Sequence, residues 1–259
     1  MKNIALITAK GGNQSIKNKN LVEIEGKSFL GWQLSYANDA KLIDEVFVST
    51  EDELIKNEAL KYGAKIIDRP KDLAQPFTNH GDAILHGVKA AKETLSADIG
   101  TVTILLGNTL MNSGADIDAT IQTLINNKDV DGCMTVWQAQ DDHPYRAMTI
   151  DEDGYLKSFL DLKGADTNRQ SYPSVVFYDQ GPWTVRHSSL IKTKRGETGP
   201  ACWWWMGDKV IPITRLWVTG KDVHTQLDVE ISKAWIKNNL AAIERSSRPS
   251  NAVPPAPAG

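Results

Sequence analysis

Three lysines and a glycine pair directly behind an apolar run are the residues of this chain best suited to chemistry. Ile4, Ala5, Leu6 and Ile7 form the short continuous apolar stretch of a buried parallel strand. Gly11-Gly12 then removes two side chains, so backbone N–H groups can approach a ligand closely, while Lys10, Lys17 and Lys19 bring positive charge to the same place. That combination suits a polyphosphate. The spacing is neither Walker A nor G-x-G-x-x-G, so a solvated lysine-rich turn is the competing reading of these residues alone.

The elements that must position this loop alternate in type. Gly26-Lys27 turns the chain, and Ser28 is placed to cap a helix through Phe29, Trp32, Leu34 and Ala37. Val46 to Val48 read as a second strand, followed by the cap signal Ser49-Thr50-Glu51-Asp52 and a helix containing Leu54, Ile55, Ala59 and Leu60. Ala64 to Ile67, Val102 to Leu106, Gly132 to Trp137 and Val175 to Tyr178 are further strands, and Ile117 to Leu124 a further helix. The pattern predicts an α/β fold, Rossmann-like, with a mostly parallel sheet covered by helices on both faces. Ligands bind such sheets at the carboxyl ends of the strands, where the loops after Ile7, Val48 and Leu106 open.

The segment LITAKGGNQSIKNKNLVEIEGKSFLGWQL resembles the opening signature of the cytidylyltransferases that activate acidic sugars, the CMP-sialic acid synthetase family. Leu6, Ile7, Ala9, Gly11, Gly12, Ile16, Lys19, Asn20 and Leu21 match its pattern. Lys10 stands where the family carries Arg, and Asn13-Gln14 where it carries Ser-Lys, so one cation is kept and one lost. The resemblance implies that Ala9, Lys10, Gly11, Gly12, Asn13, Lys19 and Asn20 hold the nucleotide, with Lys10 and Lys19 on the triphosphate and Asn20 on ribose or phosphate. DRPKDLAQPFTNHGDAILHGV continues the match and makes Arg69 a nucleotide contact; the rival for Arg69 is an ion pair with Asp68 or Asp72. His80 and His86, six residues apart, do not share one helical face as a metal pair would.

The largest departure follows the fourth strand. Where the family carries Q-P-T-S-P-L-R, this chain has Leu106-Gly107-Asn108-Thr109-Leu110-Met111-Asn112, so a glutamine offered to the sugar becomes Leu106 and an arginine becomes Asn112. Asn108 and Thr109 remain as the polar candidates for the acceptor. Residues 139–173 resemble the family's dimerisation arm, with an Asp153-Gly154 hairpin turn between apolar Met148, Ile150, Tyr155 and Leu156. By resemblance the chain is a homodimer whose Arg146 and Arg169 reach the substrate carboxylate held by the other subunit, a task suited to a two-pronged guanidinium. Trp203, Trp204 and Trp205 have no counterpart in the pattern and read as packing or as one acceptor-pocket wall.

Leu227-Asp228-Val229-Glu230-Ile231 resembles the family's D-I-D motif. In an extended segment residues two apart point the same way, so Asp228 and Glu230 would together bind Mg2+; the alternative is a pair of helix-cap carboxylates. The last helix is expected over Ile231 to Ile243, completing a catalytic domain over 1–245, and residues 246–259 form a Ser/Pro/Ala-rich tail expected to be disordered.

A net charge of −3 with mixed signs gives no global pull towards nucleic acid or an anionic membrane. No apolar run approaches the roughly 20 residues of a membrane span, and Cys133 and Cys202, both among apolar neighbours, read as reduced core residues of a cytoplasmic protein. The resemblance implies a Mg2+-dependent transfer of CMP from CTP to an acidic sugar, with Lys10, Lys19 and Asp228 as the catalytic groups. The departures keep three rivals in play: another acceptor such as an octulosonate or a phosphonate, another nucleotide, and a non-catalytic nucleotide-binding homologue.

Overall fold

In the computed structural model the residues described are 1–12, 16, 18–162, 166–221 and 223–246, the last six by backbone alone. Asn13, Gln14 and Lys17 of the lysine loop, and the tail beyond 246, lie outside them. The elements are β1 (Lys2–Thr8), β2 (Glu23–Ile24), β3 (Lys27–Ser28), α1 (Phe29–Asp39), β4 (Glu45–Thr50), α2 (Glu53–Lys61), β5 (Lys65–Asp68), α3 (His80–Thr94), β6 (Ile99–Leu106), α4 (Gly114–Asn126), β7 (Gly132–Gln138), β8 (Met148–Ile150), β9 (Leu156–Ser158), β10 (Val176–Arg186), α5 (His187–Leu190), β11 (Val210–Arg215) and α6 (Gln226–Ser246).

Seven strands make one sheet in the order β11-β7-β10-β6-β1-β4-β5. All neighbours are parallel except β10, which runs against both β6 and β7. The period-two alternation of β1 divides its side chains between the two faces. Ala5 and Ile7 join a core with Phe29 and Trp32 of α1, Ile117 and Ile121 of α4 and Ile236 of α6. Ile4 and Leu6 join the opposite core with Ile84 and Val88 of α3, Trp204 and Trp205. The expected α/β sheet with helices on both faces is the observed fold.

The predicted caps form where their chemistry places them. Ser28 accepts from Gly31 N at the start of α1, and Asp52 accepts from Leu54 N and Ile55 N at the start of α2. The Asp153-Gly154 turn closes a hairpin in which Ile150 pairs with Leu156, with Gly154 at φ 87° and Asp151 Oδ1 accepting from Tyr155 N at 2.8 Å.

Four expectations need correction. Strand β10 runs to Arg186, well past Tyr178, because Gly181-Pro182 interrupts its register without ending it. Helix α6 begins at Gln226 and continues through Ser246, so Asp228 and Glu230 are helical and not extended. A turn of 100° per residue carries side chains two apart to nearly opposite sides, which removes the shared carboxylate face. Finally, Cys133 is buried but Cys202 is exposed, because the 201–206 turn inserts Trp204, Trp205 and Met206 into the core and leaves Cys202 outside.

Candidate functional site

Loops from the carboxyl ends of β1, β4, β5 and β6 converge, and backbone bonds fix their mutual positions. Ala9 N donates to Ser49 O, Arg69 N to Thr50 O, and Gly107 N to Thr8 O. Beneath them lies a cavity of about 280 Å3 whose wall includes Ala9, Lys10, Lys19, Asn20, Arg69 and Asn108. Six of the residues singled out in the sequence are thus brought together. Gly11 and Gly12 sit at the adjoining edge, where Gly11 N donates to Glu51 Oε1 at 2.7 Å. A Cβ on Gly11 would lie 2.5 Å from Asp52 Oδ2, and Gly12 has φ 65°, a left-handed conformation that favours glycine.

Lys19 and Asn20 are buried, which a solvated turn would not produce. Asn20 Nδ2 donates to Lys10 O at 2.9 Å and so shapes the loop, while Lys19 Nζ donates to Val223 O at 2.6 Å across 204 residues of sequence. That bond ties the amino-terminal loop to the segment leading into α6. Arg69 is buried too, and donates from Nε and Nη2 to Ser49 Oγ and Ser49 O at 3.1 and 2.7 Å. Asp68 pairs with Lys56 instead, at 2.6 Å. Burial lowers the Arg69 pKa, partly opposed by the charge of Glu51.

Leu106 also lines this cavity, as does His80, a residue without a role in the sequence reading. His80 opens α3 behind the N-cap Asn79, whose side chain accepts from Gly81 N. Asn directly before the helix is the signal that could have placed His80 in its first turn. His80 Nε2 lies 2.9 Å from Thr8 Oγ1. Burial pushes its pKa down to about 4, assisted by the charges of Arg69 and Lys10, so the ring is neutral at physiological pH.

The two polar candidates after β6 part company. Asn108 lines the cavity, and its carbonyl accepts from Val223 N at 3.3 Å. Thr109 is fully buried beneath the loop, with its carbonyl accepting from Gln33 Nε2, and does not line the cavity. Asn112 is fully buried as well. Its Oδ1 accepts from Arg215 Nη1 at 3.0 Å, and Arg215 in turn pairs through Nε with Asp179 Oδ2 at 2.8 Å. A guanidinium from β11 therefore occupies the neighbourhood of the position where the family pattern has its own arginine.

A second cavity, of about 340 Å3, is walled by Trp137, Phe177, Trp217, Lys221, His224 and Asp228, and His224 follows Val223 in the chain. Trp137 and Phe177 stack with centroids 4.7 Å apart, giving the wall an aromatic face. Asp228 Oδ2 accepts from His224 N, Thr225 N and Thr225 Oγ1 at 2.7–3.0 Å, the bonding of a helix-cap carboxylate. Burial would raise its pKa, but the hydrogen bonds from Thr225 and His224 prevail and hold it below the ordinary carboxylate range. Glu230 is exposed and accepts from Gln226 Nε2 at 3.2 Å, away from this wall. Among the described residues no group of three or more His, Cys, Asp or Glu is placed to hold a metal ion.

On the arm, Arg146 and Arg169 are both exposed and both reach Asp141 Oδ1, at 3.4 and 3.3 Å. They come together, and neither lines either cavity of its own chain. Of the three consecutive tryptophans, Trp204 and Trp205 are core residues, and Trp203 packs on Tyr178 at 3.8 Å; none lines either cavity.

Residues 4–152, more than half of the chain, match the family model described as Cytidylyltransferase. The chain belongs to the cytidylyltransferase family. It is 33% identical over 90 residues to a pseudaminic acid cytidylyltransferase of Campylobacter jejuni, a match covering 34% of this chain and 39% of that protein. It is 26% identical over 194 residues to post-translational flagellin modification protein B of Campylobacter coli, covering 73% and 79%. An N-acylneuraminate cytidylyltransferase A of Danio rerio is 36% identical over 80 residues, covering 31% and 19%. In fold, the chain is similar to a CMP:2-keto-3-deoxy-manno-octonic acid synthetase complexed with CTP, with a TM-score of 0.65 at 15% identity, covering 92% of this chain and 100% of that one. These relatives bear out the resemblance drawn from the LITAKGGNQSIKNKNL segment, and the family match includes the whole of the first cavity's wall.

Proposed function

We propose that this protein is a nucleotidyltransferase that joins CMP from CTP to an acidic sugar of the nonulosonate type and releases pyrophosphate. The acceptor hydroxyl oxygen bonds to the α-phosphorus, the α–β bridging P–O bond breaks, and its electron pair leaves with pyrophosphate. Little covalent chemistry is asked of the protein, so alignment and charge neutralisation carry the rate. Lys10, Lys19 and the amide of Gly12 hold the triphosphate, and Asn20 holds the loop and the ribose side. The observation that carries this reading is the bond from buried Lys19 to Val223, which places the cationic loop against the segment that lines the second cavity.

The second cavity is assigned to the acceptor. Its stacked Trp137 and Phe177 suit the apolar face and acyl groups of such a sugar, and Lys221 suits its carboxylate. Asp228 is the residue that fits Mg2+: it is ionised, it faces the second cavity, and the cap bonds it accepts fall on Oδ2, while Glu230 is turned away. The chemistry supplied by a bound Mg2+ is neutralisation of phosphate charge and a lower pKa for a hydroxyl it touches.

The working unit is a homodimer. Its support is the hairpin arm, where Met148, Ile150, Tyr155, Leu156 and Phe159 are each more than 60% exposed, an apolar surface that a second copy would cover while bringing Arg146 and Arg169 to its site. Sedimentation equilibrium at micromolar concentration should return twice the chain mass; a monomer there removes the dimer from the account. A cytoplasmic setting follows from the supply of CTP, and among the described residues no helix is long and apolar enough to cross a membrane.

Pyrophosphate release tests the reaction. With Mg2+ and each of the four nucleoside triphosphates, against sialic, pseudaminic, legionaminic and octulosonic acids and a simple phosphonate, release is expected with CTP and an acylated nonulosonate. Preference for another triphosphate or for the phosphonate overturns the assignment of substrate. No release with any pair, despite CTP binding, leaves the non-catalytic reading.

A further inference from the structure

Two of the three consecutive tryptophans, Trp204 and Trp205, and His80 are features of this chain that the proposed reaction leaves unused, and they belong to one construction. Trp204 Nε1 donates to Asn79 Oδ1 at 3.2 Å, so the cap of α3 is held from behind. A Cβ on Gly81 would lie 2.5 Å from Trp204 and 2.8 Å from Trp205, which shows how closely the indoles press on the first turn of α3. The His80 ring meets Trp205 edge-on, with centroids 5.5 Å apart, and Trp183 in the same manner at 6.4 Å. On its other side Nε2 is held by Thr8 Oγ1 of β1. An imidazole packed between two indoles and tied at one nitrogen has one orientation, and it forms part of the wall of the first cavity.

The walls of that cavity divide by chemistry. Lys10 and Lys19 suit phosphate, whereas Leu73, Ala83 and Leu106 offer an uncharged surface suited to a flat base. We propose that His80 is a nucleobase-contacting residue that sets the preference for cytosine over uracil, with Trp183, Trp204 and Trp205 as the brace that fixes its ring. The inference rests on the reading that the first cavity takes a nucleoside triphosphate. One of the two neutral tautomers favours cytosine at the edge where the two bases differ. With Nε2 donating to Thr8, Nδ1 is an acceptor for the cytosine amino group, where uracil presents a carbonyl oxygen. With Nε2 accepting from Thr8, the Nδ1 hydrogen serves cytosine N3 and uracil O4 alike, so the selective tautomer is the one that carries its hydrogen on Nε2. The neutrality of the ring supports this, since an imidazolium would offer donors only and would favour uracil's carbonyl as readily.

Calorimetric titration in the presence of Mg2+ tests the assignment, using CTP, UTP and inorganic tripolyphosphate on the full chain and on His80→Phe. Phenylalanine keeps a ring between Trp183 and Trp205 but removes both nitrogens. The ratio of UTP to CTP dissociation constants is expected to fall by about tenfold in His80→Phe, the worth of one well-placed hydrogen bond. Tripolyphosphate affinity is expected to stay within about twofold, because no base is involved. His80→Asn, which retains a donor and an acceptor, is expected to recover part of the ratio and serves equally if the Phe variant does not fold. An unchanged ratio in both variants, or equal loss of tripolyphosphate and CTP, overturns the role of His80 while leaving the nucleotide site standing. Failure of the unaltered chain to bind any of the three overturns the nucleotide site itself and His80 with it.

Discussion

Asp179→Ala is expected to lower the unfolding free energy by about 3–5 kcal/mol, the cost of stripping a buried guanidinium of its main carboxylate. Asp179 is fully buried within β10, and its carboxylate is completely engaged. Oδ2 takes Arg215 Nε at 2.8 Å, while Oδ1 accepts from Gly181 N at 2.7 Å and from the Thr135 hydroxyl. The Arg215 side chain is only 7% exposed, so water cannot replace the lost partner. Asp116 at 3.4 Å is too distant to compensate fully. Urea denaturation reads the loss as a lower midpoint at unchanged slope. The double variant Asp179→Leu with Arg215→Met is expected to recover part of it, because neither charge is then left alone while Gly181 N and Asn112 Oδ1 still lose their partners. A single variant within 1 kcal/mol of the unaltered chain would contradict this account of the β10–β11 junction.

Lys19→Met is expected to reduce kcat/KM for CTP by about 100- to 1000-fold, the effect of removing one fixed charge from a developing phosphate transition state. The side chain is buried, so its ammonium is placed by the fold and not by solvent, and its 2.6 Å bond to Val223 O ties it to the segment leading into α6. Methionine matches the stem in length and leaves one carbonyl short of a donor, a stability cost of about 1–3 kcal/mol. Steady-state pyrophosphate release checks the rate, and a thermal melt separates it from unfolding. Activity within threefold of the unaltered chain would remove Lys19 from the catalytic group.

What was legible in the sequence was whatever short-range pattern determines. The apolar runs at Ile4–Ile7 and Val46–Val48, and the caps at Ser28 and Asp52, specify local structure within a few residues, and all are found. So is the cationic loop at the carboxyl end of β1. Less legible was β10, because its continuous apolar run ends at Tyr178, although the strand continues past an irregularity between Tyr178 and Trp183 in the pairing with β7. Asp228 shows a different difficulty. Thr225-Gln226-Leu227-Asp228 carries the spacing of a helix-capping box, and the resemblance to a metal motif directed attention to Glu230, which the helix turns away.

Contacts between distant segments left no mark in the chain at all. Arg215 meets Asn112 and Asp179 from separations of 103 and 36 residues, and Lys19 meets Val223 from 204. Periodicity cannot report such pairs, because each partner satisfies only its own local rules. His80 was passed over because a lone histidine has no pattern, and its setting is built by Thr8, Trp183 and Trp205 from three other parts of the chain.

The central claim is that one Mg-nucleotide complex sits where the amino-terminal cations meet the Val223 segment. Calorimetric titration of the full chain with CTP, with and without Mg2+, tests it most directly. The account predicts saturable binding of one CTP per chain, tightened by Mg2+ and weakened at least tenfold in Lys19→Met. Absence of binding at millimolar CTP with Mg2+ present, or equal affinity in the Lys19→Met protein, would contradict it.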